Sequence, residues 1–225
     1  MRLAVTLLSG GLDSCVAAAL AIDAGYEPAF LHINYGQRTQ NKELSAFNAI
    51  ADYYGVKKRL VVDSSYLKDI GGSSLTDFSM PVEEGWIDKQ VTPSTYVPFR
   101  NGNMVSIAVS WAEALCAEKI YIGVVEEDSG GYPDCTKLFY ERFNELLSIG
   151  LSVGKTISVI TPLIDLKKSD IVRLGISLKA PIELTWSCYQ NEIVACGVCG
   201  SCRLRLKSFY DINEKDPIRY REEDL

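Results

Sequence analysis

The chain has 225 residues, 47% of them hydrophobic and 23% charged, so it can bury a sizeable core and is composed like a soluble globular protein. Lysine and arginine number 23 against 29 aspartates and glutamates; the net charge of -6 argues against a general nucleic-acid binder or a basic membrane-surface protein, because both need a positive field. No apolar run approaches the roughly 20 residues that span a bilayer, the first hydrophobic stretch is too short for a signal sequence, and the single histidine, His32, leaves little room for histidine-based catalysis.

The predicted elements alternate along the chain. They are strand 3–8, helix 12–24 stopped by Gly25, strand 29–33, helix 41–54 stopped by Gly55, strand 59–62, helix 103–118, strand 120–124, helix 137–149, strand 157–160 and helix 169–178. Short apolar strands separated by helices imply an α/β fold, a doubly wound and mostly parallel sheet covered on both faces. In such sheets ligands bind beyond the carboxyl ends of the strands. Two segments interrupt the pattern. Residues 63–100 carry Gly71, Gly72, Pro81, Gly85, Pro93 and Pro98 without clear periodicity, as expected of a lid, a binding loop or disorder. From Pro181 the chain holds a cysteine cluster and a short helix at 204–210, which suggests a core over 1–180 and a distinct segment over 181–225.

After the first strand comes Leu8-Ser9-Gly10-Gly11-Leu12-Asp13-Ser14, opening a helix. Helix-start N–H groups can hold an anion there; the glycines permit close approach, and the hydroxyls of Ser9 and Ser14 add donors. The loop matches neither the Walker pattern nor Gly-x-Gly-x-x-Gly. Asp13 is suited either to orienting a metal or to capping the helix. Further on, Cys188, Cys196, Cys199 and Cys202 place four thiols within fifteen residues, with Gly197 and Gly200 between them. Without an export signal, that spacing points to a metal rather than disulfides; tetrahedral sulfur suits a structural Zn²⁺, with an iron–sulfur cluster as the rival. Cys15 and Cys116 read as small buried apolar residues, and His32 as structural rather than as a general base.

Ser-Gly-Gly-x-Asp-Ser after the first strand resembles the pyrophosphate loop of the N-type ATP pyrophosphatases, whose fold is of the adenine-nucleotide α-hydrolase type. The resemblance implies that the loop from Leu8 to Ser14 binds ATP, with Mg²⁺ to neutralise the triphosphate. Four more stretches, Asn34-Tyr35-Gly36-Gln37-Arg38, Tyr96-Val97-Pro98-Phe99-Arg100-Asn101, Gly131-Tyr132-Pro133-Asp134-Cys135 and Thr185-Trp186-Ser187-Cys188-Tyr189 through Cys202, resemble the 7-cyano-7-deazaguanine synthase family of queuosine biosynthesis. The likeness runs in order across nearly the whole chain and includes Thr161-Pro162-Leu163 and Lys168.

What the resemblance implies is a cytoplasmic, homodimeric ligase that converts 7-carboxy-7-deazaguanine and ammonia into the nitrile by adenylating first the acid and then the amide. Asp13, Arg100 and Lys168 are the implied catalytic residues, the last two also binding ATP. Tyr35, Gln37, Tyr132 and Asp134 are implied at the substrate, although Asp134 could instead cap the helix that follows. No stable nucleic-acid or membrane partner is expected. Met1-Arg2 at the start leaves no room for a glutaminase domain, so free ammonia or an external donor is implied. The chain departs from the family pattern at Gly130, where a serine is expected next to Gly131, with Ser129 one place earlier, and in Thr136-Lys137-Leu138. The altered loop before Gly131 keeps open a relative that stops at the amide or joins the acid to a macromolecular amine. Two further alternatives are a tRNA-thiolating pyrophosphatase and a module that binds ATP without turnover.

Overall fold

The computed structural model describes residues 2–83, 92–126 and 131–221; Gly85, Ser129 and Gly130 lie outside the described residues. Five strands form one sheet: β1 Leu3–Leu7, β2 Glu27–Asn34, β3 Arg59–Asp63, β4 Lys119–Ile122 and β5 Ser158–Ile160. All their pairings are parallel, in the order β3-β2-β1-β4-β5. The chain winds outward from β1 through β2 to β3, then returns to the other side of β1 for β4 and β5. The gap between β1 and β4 is therefore the switch point at which a doubly wound sheet opens a crevice.

Alternation along the strands builds the two faces. Leu3, Val5 and Leu7 of β1 and Ala29, Leu31 and Ile33 of β2 pack with α4 (Arg100–Leu115) and α5 (Lys137–Gly150), while Phe30 points the other way. The opposite face is covered by α1 (Leu12–Asp23), α2 (Gln40–Tyr53) and α6 (Lys168–Ser177). In α1, Ala17, Ala18, Ala19 and Ala21 are buried, and their small side chains let the helix lie close to the sheet. Among the described residues no helix is long and apolar enough to cross a membrane.

The expected helices and strands are present, with shifted ends. α4 begins at Arg100, three residues before the predicted 103, because Phe99 takes a left-handed φ of 52° and the preceding chain turns into the helix there. The helix near the carboxyl end, α7, spans Gly200–Tyr210 and so starts at the cysteine cluster rather than at 204. The long interruption contains one short helix, α3 (Tyr66–Ile70). Much of it is tethered by Arg38, whose guanidinium donates to the carbonyls of Ser74 at 2.6 Å, Asp77 at 2.9 Å and Met80 at 2.5 Å. Cys116 is a correction: it is exposed, because it ends α4 with a left-handed φ of 54°, and it accepts a hydrogen bond from Lys155.

Candidate active site and metal centre

The glycine loop follows β1 without slack. Leu8 N still donates to Leu31 O at 2.8 Å, and the chain then turns into α1. Gly10 has φ +91°, and a Cβ there would lie 2.5 Å from the carbonyl oxygen of Glu43 in α2, so the loop rests directly on helix backbone. Ser9 Oγ and Ser14 Oγ are 3.0 Å apart, Gly11 N donates to Ser9 Oγ at 3.2 Å, and Ser14 Oγ donates to Gly11 O at 3.0 Å. Trp186 N holds the outer side of the turn by donating to Gly10 O at 2.9 Å. Gly123, just past β4, closes the crevice from beneath. A Cβ at Gly123 would lie 2.5 Å from the carbonyl carbon of Asp13, so only glycine lets β4 end this near the start of α1.

A cavity of about 290 Å³ opens at this switch point. Leu8, Ser9, Gly11, Leu12, Asp13 and Ser14 line it from the loop, and Tyr35, Arg100, Tyr132 and Lys168 line it from other elements. Lys168, the first residue of α6, forms an ion pair with Asp13 Oδ2. Arg100 Nη1 donates to Tyr35 Oη at 3.1 Å, and the guanidinium stands 5.3 Å from that ring's centre. Burial pushes the Tyr35 hydroxyl up to about 12 against the pull of Arg100. Asp13 Oδ1 and Arg100 Nε are buried without a hydrogen-bond partner among the described residues. Buried polar atoms are rarely left so.

Gln37 and Asp134 do not line the cavity. Asp134 is 2% exposed; Oδ2 accepts from Asn101 N at 2.8 Å and Oδ1 from Asn101 Nδ2 at 3.3 Å. It thus caps the start of α4, not the helix that follows it. Gln37 is 4% exposed and works behind the wall: Oε1 accepts from Tyr35 N and Nε2 donates to Glu43 Oε2, both at 2.9 Å. Glu43 does line the cavity, and its Oε1 accepts from Thr39 Oγ1 at 2.8 Å. Burial raises its pKa, opposed by these two donors and by Arg100.

His32 lies beneath the loop, 1% exposed, against Phe47. Its Nδ1 is 3.1 Å from Leu8 O and its Nε2 is 3.1 Å from Asn34 Oδ1, so both ring nitrogens face oxygens. Burial lowers its pKa, and the ring supports the loop from outside the cavity lining.

The four clustered cysteines are buried, and their sulfurs all lie within 4.8 Å of one another. Thiolates about 2.3 Å from a tetrahedral ion stand roughly 3.8 Å apart, close to the 3.9 Å between Cys196 Sγ and Cys202 Sγ. Backbone N–H groups of Gln190, Asn191 and Cys196 point at Cys188 Sγ at 3.4 Å, and Cys199 N at Cys196 Sγ at 3.3 Å, an arrangement that supports negative sulfur. The donor set therefore fits a metal ion.

The family model described as "Queuosine biosynthesis protein QueC" matches residues 3–213. The chain belongs to the QueC family. That stretch holds the glycine loop, the cavity's charged residues and all four clustered cysteines. Relatives named 7-cyano-7-deazaguanine synthase are 53% identical over 219 residues in Chlorobium phaeobacteroides, covering 97% of each chain. One in Chlorobium chlorochromatii is 54% identical over 217 residues, covering 96% of this chain and 95% of its own, and one in Chloroherpeton thalassium is 53% identical over 218, covering 97% and 96%.

Three features of this QueC-family site went unread in the sequence. Gly123 carried a usable signal, a lone glycine inside the predicted strand 120–124. Glu43 carried little, since a glutamate in the first turn of a helix is ordinary. Arg205 carried none. It is 1% exposed on α7, pairs with Asp216 at 2.7 and 3.0 Å, and donates to Thr185 Oγ1 at 2.7 Å and Ser187 Oγ at 3.2 Å. Tyr220 Oη donates to Asp216 at 2.6 Å, so one buried pair joins α7, the tail and the segment that holds down Gly10.

Proposed function

We propose that the protein converts 7-carboxy-7-deazaguanine and ammonia into 7-cyano-7-deazaguanine at the expense of ATP, and so acts as a carbon–nitrogen ligase. The observation that carries this reading is the meeting of the glycine loop, Arg100 and Lys168 around one cavity, in a chain whose relatives bear the synthase name.

The chemistry explains why such a cavity is needed. A carboxylate resists attack because oxide is a poor leaving group. Its oxygen attacks the α-phosphorus of ATP, pyrophosphate leaves, and the acid becomes a mixed anhydride with AMP. Ammonia attacks the carbonyl carbon, AMP leaves with the carbon–oxygen bond pair, and a proton goes to solvent. The amide oxygen is then adenylated in the same way. Loss of AMP and of the remaining N–H protons gives the nitrile.

In this reading the N–H groups at the start of α1, with Ser9 and Ser14, hold the leaving pyrophosphate. Lys168 neutralises phosphate charge, and Arg100, steadied by Tyr35, faces the charge that develops at the α-phosphate. Mg²⁺ bound with ATP would screen the triphosphate, and the unpartnered Asp13 Oδ1 is a suitable hard oxygen for it. Zn²⁺ is the ion we assign to the four thiolates, in a structural role. Residues 1–180 then form the activating core, and 181–225 the metal-stabilised segment that closes it.

The test is to incubate purified protein with ATP, Mg²⁺, ammonium and 7-carboxy-7-deazaguanine, and to follow AMP and product mass. Nitrile with AMP is expected. Amide as the final product, or no nucleotide turnover, would overturn the reading.

A further inference from the structure

We propose that Glu43 reads the amino-pyrimidinone edge of the substrate, its carboxylate accepting the two adjacent N–H groups of that ring. The inference rests on the substrate assigned above and deepens it. A 2-amino-4-oxopyrimidine ring presents a ring N–H beside an exocyclic NH₂, and the side chain that matches two parallel donors is a carboxylate. Sequence resemblance placed Asp134 at the substrate. Asp134 is instead 2% exposed, turned to Asn101 at the start of α4, and outside the cavity lining.

Among the described residues, the acidic residues that line the cavity are Asp13 and Glu43. Asp13 sits on the glycine loop in its ion pair with Lys168, where phosphate chemistry belongs. Glu43 is the one left for the base. Its two oxygens each accept one hydrogen bond, from Gln37 Nε2 at 2.9 Å and Thr39 Oγ1 at 2.8 Å. A carboxylate offers about four acceptor sites, so each oxygen keeps one for a ligand.

Orientation is fixed as well as supply. Gln37 is itself held by Tyr35 N, so Tyr35, Gln37 and Glu43 form a chain that sets the carboxylate plane relative to the Tyr35 side of the cavity. Tyr35, Tyr132, Trp186 and Tyr189 also line the cavity and offer flat surfaces to a planar ring. Facing charges are Arg100, which favours the ionised carboxylate, and Glu192, which opposes it. A buried carboxylate in these surroundings gains from two further donors.

The experiment compares 7-carboxy-7-deazaguanine with its analogue lacking the 2-amino group, on the wild-type protein and on Glu43→Gln. AMP formation gives kcat/KM, and calorimetric binding of each compound to protein without ATP gives a second reading that needs no turnover. The wild type should prefer the amino compound by about 10- to 100-fold, as for loss of one charge-assisted hydrogen bond. In Glu43→Gln that preference should fall about tenfold or more, because the amide NH₂ faces a donor, while the KM for ATP stays unchanged. A merely structural role would weaken both compounds equally and leave the preference intact, which would overturn the proposal, as would a wild type that does not discriminate. Discrimination in binding that needs Glu43, without AMP formation, would uphold this proposal and overturn the enzymatic reading.

Discussion

Lys168 and Asp13 stand 155 positions apart in sequence, yet their side chains form an ion pair where the first turns of α6 and α1 meet. Their side chains are 19% and 23% exposed, so the pair adds about 1 kcal/mol or less to stability once solvent screening is allowed for. In the proposed reaction its use is chemical. Lys168→Ala and Arg100→Ala should each lower kcat by about a hundredfold or more, while melting temperature changes little for Lys168→Ala. Near-normal AMP production in both variants would remove these residues from the reaction.

Gly123→Ala tests the closeness of β4 to α1. A methyl group placed 2.5 Å from the Asp13 carbonyl carbon must push the loop or the strand aside, at a cost of about 1–3 kcal/mol. Turnover should fall with it, because Asp13 moves. Unchanged stability and rate would mean that the two elements separate freely.

Asp134 is expected to matter for the helix rather than for recognition. Asp134→Ala removes the acceptor for Asn101 N and should cost about 2 kcal/mol, read as a lower urea midpoint. A large rise in KM for the deazaguanine acid at unchanged stability would return Asp134 to the substrate.

His32 gives a pH dependence with a definite sign. Burial lowers its pKa below the ordinary 6.5, so the unfolded chain takes up the proton first. The stability it contributes is complete above that ordinary value and is lost as pH falls through it toward the folded value. Urea midpoints should therefore drop between about pH 7.5 and 5.5, and His32→Gln should flatten that part of the curve. As the chain's single histidine, its imidazole signal reports the titration without assignment. An identical slope in the variant would assign the loss to other groups.

Cys196→Ser should release bound metal and destabilise residues 188–221, because ion binding is part of the folding free energy. Metal analysis with limited proteolysis reads both effects. Full metal occupancy with unchanged melting would contradict the four-cysteine site.

The strands and most helices were legible because burial on both faces leaves an apolar run and burial on one face leaves a helical period, and both are local properties. The start of α4 was not. It depends on Phe99 adopting a left-handed backbone and on an acceptor supplied by Asp134, 33 positions downstream. The glycine loop could be read as an anion site from its spelling, and Arg100 and Lys168 from family resemblance. Gln37 stood out and Glu43 did not, for a different reason. Gln37 looked like a ligand from its motif, but the chain turns after β2 so that its amide points at Glu43 rather than into the cavity. The Arg205–Asp216 pair was hidden because burying an arginine is a tertiary event that leaves no periodic trace.

That pair also gives the tail a task. Arg205 lines the cavity, and the carboxylate that compensates its charge lies eleven residues later, on a tail that returns to pair with Ala195. A chain that stopped before Asp216 would still hold every strand from β1 to β5 but would carry an uncompensated buried cation in its cavity wall. The wall is finished only when the tail docks, so such a fragment would keep the glycine loop without a properly closed workspace around it.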